Sequence, residues 1–165
     1  MPKNPANRLP PAVLAAVLST AGQAALAVDA VVPYPKDYRT WQHVKSMVIE
    51  PGHELYASFG GIHHLYANAE AMTGYASGTF PDGAVIAFDL LDVVTGGNAV
   101  QEGPRKVLGV MHKDARKYAA TGGWGFEGFA AGDPAQRVVG DQAATACFGC
   151  HTSQKASDYV FSKPR

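Results

Sequence analysis

The 165-residue chain is poor in charge and in thiols: charged residues make up 17%, the formal net charge is zero, and there are two cysteines. A small and evenly divided charge removes the basic face that nucleic acid requires and the acidic tail that marks many interaction segments. Long helical periodicity is missing as well, which excludes a four-helix bundle, and there are no internal repeats or low-complexity tracts. The apolar stretch "AVLAAVLSTAG" at residues 12–22 is too short to span a bilayer. No methionine follows Met111.

What the amino end does contain is an ordered series: Lys3 and Arg8, the apolar stretch, then the small residues of "QAALA". This is the layout of a secretory signal, and Ala25 and Ala27 suit the small-x-small cleavage rule, so residues 1–27 are expected to be removed after Ala27. Residues 28–165 then form one domain with one core, exported to the periplasm and free of the membrane.

Export governs how the two cysteines of "CFGCH", residues 147–151, are read, because an oxidising compartment permits disulfides and also houses c-type haem attachment. A disulfide between Cys147 and Cys150 would close a ring of four residues, which constrains the unfolded chain little. A thioredoxin-like pair would open a helix early in a βαβ unit, and this pair stands near the carboxyl end without one. Zinc needs two more ligands at short spacing, and none follow. One haem c uses all three residues: Cys147 and Cys150 add to the vinyl groups, and His151 meets the iron as proximal ligand.

The sixth iron position separates classes of haem protein. Small electron-carrier cytochromes carry the motif near the start of a helical chain and a methionine near its end; here the order is reversed, and Met47, Met72 and Met111 are simplest as core fillers. Upstream the chain reads as strands at 43–50, 54–67, 84–94, 106–113 and 124–130, separated by "EPG", "PDG", "TGGN" and "QEGP". Short helices are expected from an Asn68 cap, at 113–120, and from Asp141 into the haem motif. The fold class is therefore mainly β: an antiparallel sheet with a few short helices and a haem against one face.

The segments "PYPKDYRTW", "HLYANAEAM", "PDGAVIAFDLLDV", "GGWGFEGFA" and "CFGCH…SDYVFSKPR", in that order, resemble the P-460 cytochromes and their relatives the cytochromes c′-β. The resemblance implies an antiparallel β fold, a homodimer and one covalent haem. In the hydroxylamine-oxidising members a lysine on the strand after the Asp-Gly turn is bonded to the macrocycle. Here Phe88 stands on the strand after Asp82-Gly83, and that lysine is absent. In the c′-β branch this position is a phenylalanine that caps the distal face with a second one, for which Phe59, ahead of Gly60-Gly61, is the candidate.

Two aromatic rings over an open iron position offer neither proton nor lone pair, so they disfavour water and anions and leave small, nearly neutral diatomics such as nitric oxide and carbon monoxide. Strand alternation sends His63 and His64 to opposite faces and puts His63 with Phe59, making it the candidate for a distal or propionate contact. Trp124, Phe126 and Phe129 are expected in the pocket wall or sheet core, Glu127 in solvent by strand parity or as a distal acid if it faces the iron, and Arg39, Arg105 and Arg116 as propionate partners to choose among. The functional expectation is nitric oxide sensing, buffering or detoxification at five-coordinate haem. Its rivals are a hydroxylamine-oxidising enzyme and an electron-transfer cytochrome with its own redox partner.

Overall fold

The structure, a computed structural model, describes Met1 and residues 31–164, so the expected signal peptide and its cleavage site lie outside the described residues. Five strands pair only with their neighbours in sequence: β1 (Gln42–Ile49), β2 (Gly61–Ala67), β3 (Val85–Gly96), β4 (Ala99–Lys113) and β5 (Trp124–Ala130). All four pairings are antiparallel, so the sheet is a meander. The β3–β4 hairpin turns at Gly97 and Asn98, whose φ angles of 56° and 60° give the left-handed pair that matches the twist of two-residue hairpins. Helix α2 (Ala69–Ser77) begins at Asn68, whose side chain accepts the Ala71 N–H at 2.9 Å, and ends at Gly78 with φ 82°. Among the described residues no helix is long and apolar enough to cross a membrane.

The sheet is buried on both faces. On one face Ile86, Trp124 and Phe126 join Val44, Ala67, Ala71, Phe80 and Val160, packed under α2 and the carboxyl-terminal segment. On the other, Ala87, Leu108, Val110 and Phe129 are covered by Val32, Tyr38 and Tyr118. Burying Leu108 and Phe129 completely contributes about 2 kcal/mol each. Phe129 thus faces away from Trp124 and Phe126 rather than sharing one wall with them.

This second face corrects the expectation for Glu127. It does alternate away from Phe126, but the segment 137–140 closes over it, and its carboxylate accepts the N–H groups of Gly128, Val139 and Gly140 and pairs with Arg137 at 3.1 Å. Those bonds hold its pKa below the usual carboxylate range against the opposing effect of burial. Asp89, 0% exposed, occupies the same face, where it accepts Tyr38 Oη at 2.7 Å and pairs with Arg105.

Two other expectations fail locally. The predicted strand at 54–67 is a helical turn, α1 (Tyr56–Phe59), followed by β2. Gly61, with φ 127°, forces the break: a Cβ there would strike the Leu91 carbonyl. The predicted helix at 113–120 is mostly turn, closed by a 3-10 segment at Ala119–Thr121, while Lys113 completes β4.

Candidate haem-binding site

The motif segment is helical but irregular. Ala143–Phe148 forms a π-helical turn, Gly149–His151 forms α3, and Thr152–Ser157 continues as 3-10 turns. Phe148 anchors the segment against Tyr159, ring centroids 5.1 Å apart, and Phe126 at 6.3 Å. Cys147 is half-buried beside the first core and Cys150 is exposed, and both thiols are free. Burial pushes the Cys147 thiol up, so it is neutral at pH 7.

His151 is held from three sides. Phe126 and Phe161 flank its ring at 4.9 and 5.0 Å, and Nδ1 lies 2.7 Å from the Tyr159 carbonyl oxygen. A carbonyl only accepts, so the proton is on Nδ1 and Nε2 keeps its lone pair. Burial lowers the pKa of His151, and the Tyr159 hydrogen bond opposes that only in part. A neutral imidazole with Nε2 free and Nδ1–H anchored to a backbone oxygen is the form that ligates a metal.

The same sheet face carries Phe88 and His63. Register pairs Leu65 with Phe88 and Ile86 with Met111, which faces Phe126, so alternation puts His63, Phe88 and Phe126 on one side. Phe59 meets Phe88 edge to face at 5.7 Å and 81°, and the His63 ring lies 4.6 Å from Phe88. Phe59 reaches this place from α1, so strand parity was not the reason it joins His63. It is 41% exposed. Gly109 faces Phe88 from β4, where a Cβ would sit 3.4 Å from the ring. His63 is buried, its Nδ1 has no partner among the described residues, and burial, with smaller contributions from His64 and Lys45, lowers its pKa to about 4.

The remaining candidates are placed elsewhere. Arg105 is committed to Asp89 on the opposite face, Arg39 lies 3.9 Å from Glu102, and Arg116 is exposed on the loop after β4. His64 points away from His63, with Nδ1 2.6 Å from Ser46 Oγ and Nε2 2.7 Å from Glu102. Met72 and Met111 pack against the first core as expected, whereas Met47 is exposed on β1. Tyr159 and Phe161, which hold the His151 ring, were not foreseen. Tyr159 acts through its backbone oxygen, for which side-chain identity gives no signal.

The donor set fits a haem. Two free thiols with two residues between them lead into an imidazole with Nε2 available, and the same sheet face offers a half-exposed aromatic pair beside the unpartnered His63 Nδ1. The fold is an antiparallel β-meander ending in such a segment, not a helical bundle. Residues 35–162 match the family model described as Cytochrome P460, and the chain belongs to that family, which implies haem of the c type. No curated protein matches the chain.

Proposed function

We propose that this is an exported mono-haem cytochrome of the c′-β kind, whose haem is bonded through its vinyl groups to Cys147 and Cys150 and whose iron is ligated by His151 on one side only. Bound haem supplies a ferrous iron that takes nitric oxide or carbon monoxide without help from a hydrogen bond. The chain's own part is to exclude competitors. Phe59 and Phe88 offer steric bulk and no polar atom, so water and anions gain nothing from approaching them. The edge-to-face contact of these two rings, on the sheet face that also receives His151, carries the reading.

A hydroxylamine-oxidising role is disfavoured by the same position, where Phe88 replaces the amine of the cross-linked relatives. The two amines of β4 are engaged elsewhere: Lys106 Nζ donates to the Gly60 carbonyl at 2.9 Å, and Lys113 Nζ pairs with Asp158 at 2.7 Å. The function that follows is capture of nitric oxide in the periplasm by a homodimer, for sensing, buffering or detoxification, with reducing equivalents delivered by a separate redox protein. Optical spectra of the ferric and ferrous protein test it. High-spin spectra in both states are expected at neutral pH, and a low-spin ferrous spectrum with a nitrogen or sulfur sixth ligand would return the electron-carrier reading.

A further inference from the structure

The carbonyl that holds His151 belongs to an unusual turn. Asp158 and Tyr159 both have left-handed backbone, with φ of 49° and 66°, and neither is glycine. Left-handed backbone is strained for a residue with a Cβ and persists only where its surroundings over-determine it. At Asp158 they do. One carboxylate oxygen accepts Lys113 Nζ at 2.7 Å and the other accepts the Phe80 N–H at 2.8 Å. The Asp158 carbonyl accepts the indole N–H of Trp124 at 2.8 Å, and the Tyr159 N–H donates to the Gln154 carbonyl at 2.8 Å.

Lys113 is fixed in turn. It is buried, it donates to the Gly122 carbonyl at 3.2 Å, and its ammonium lies 5.0 Å from the Trp124 ring. The end of β4, the start of β5 and the loop after α2 therefore converge on one aspartate. The next peptide oxygen along the chain is the one that accepts the hydrogen bond from His151 Nδ1–H.

We propose that Asp158 and Lys113 are positioning residues for His151. Their ion pair holds the left-handed turn so that the Tyr159 carbonyl accepts from Nδ1, which sets the orientation of the ring and the electron density it presents at Nε2. The inference rests on His151 being the iron ligand. No part of it requires either residue to touch the cofactor.

The test uses the haem-loaded full chain and two variants, Asp158→Asn and the double variant Lys113→Met/Asp158→Asn. Asparagine tolerates left-handed backbone and keeps an acceptor for Phe80, so the first variant removes the ion pair without adding strain. The double variant leaves no unpaired buried charge and carries the test if the single one fails to fold. Two quantities are read in loaded protein of wild-type circular dichroism: the ferrous iron–histidine stretching frequency and the ferrous-to-ferric ratio at a fixed applied potential. A weaker Nδ1–H bond makes a less basic ligand, so the frequency is expected to fall and the ratio to rise about tenfold, the lower end of effects from groups one bond behind a ligand. Folded variants with wild-type frequency and ratio overturn the proposal. So does persistence of the iron–histidine band in His151→Ala, which removes instead the assignment beneath it.

Discussion

The His151 end and the Phe88 end of one sheet face are held in different ways. His151 has a directed hydrogen bond and two flanking rings, and the turn behind it is tied to three other parts of the fold. Phe88 and Phe59 are held by ring contacts alone, edge to face with each other and with the His63 ring against Phe88, and among the described residues His63 Nδ1 has no partner. Hydrogen bonds specify direction, whereas van der Waals contacts specify occupied volume. The first end is built to hold one orientation, and the second to keep a space filled with something apolar that can yield. The yielding front nonetheless has a rigid back, because Asp89, next to Phe88, is locked by Tyr38 and Arg105 on the other face.

The strongest way to break the His151 end is to remove its anchors to the cofactor. The double variant Cys147→Ser/Cys150→Ser is expected to lose all covalent haem, seen as apoprotein mass after denaturation, while each single variant weakens attachment. Breaking the back of the Phe88 end comes next. Asp89→Ala leaves Arg105 without its buried partner and is expected to cost about 3–5 kcal/mol in a denaturant titration; a loss under 1 kcal/mol would mean that the front is not supported from behind.

Below that in size is the pH dependence of His63. Its pKa falls from 6.5 to about 4 on folding, so the neutral form is the stable one. The contribution is fully present above pH 6.5 and is lost as pH falls toward 4, by about 3 kcal/mol at full extent. His63→Phe should flatten that part of the stability profile, and an unchanged slope would locate the dependence elsewhere. The smallest effect in energy is the most informative about the front. Phe88→Ala is expected to speed carbon monoxide association about tenfold, or about 1.4 kcal/mol of barrier, with Phe59→Ala acting less and the pair not adding. Unchanged association in both truncations reduces the two rings to ordinary packing.

How much of this was legible in the sequence depended on whether a residue's role was local. The Asn68 cap and the alternation of β5 are written in neighbouring residues and emerged as expected, and the signal of the Cys147–His151 motif is equally local. Residues 56–59 did not, because aromatic and apolar residues favour strands in general, while the Gly60-Gly61 pair lets the chain pass close behind Leu91 only after a turn. The "QEGP" turn signal was real in composition but sits inside β4. There, register shifts around Leu91 absorb the irregularity as a bulge, so the hairpin is longer than expected. "KDARKYAA" is too short to sustain a helix alone, and the carboxylate of Asp114 accepts the backbone N–H groups of Arg116 and Lys117 in a turn instead. The second buried face, and with it the true surroundings of Glu127 and Arg105, depended on where an aperiodic segment near residues 32–41 folds back. No pattern along the strands records that.

The meander has a consequence in time. Every strand pairs with the one before it, so the sheet can close in order as the chain lengthens and is complete by residue 130, before the two thiols arrive. Consecutive pairing keeps loop closures short and folding fast. The segment from Ala143 onward is then a late arrival that docks on a finished surface, and Cys150 remains exposed even when docking is done. In that order of folding Cys150 stays within reach after the segment docks, whereas Cys147, packed against the first core, is the sulfur that docking covers.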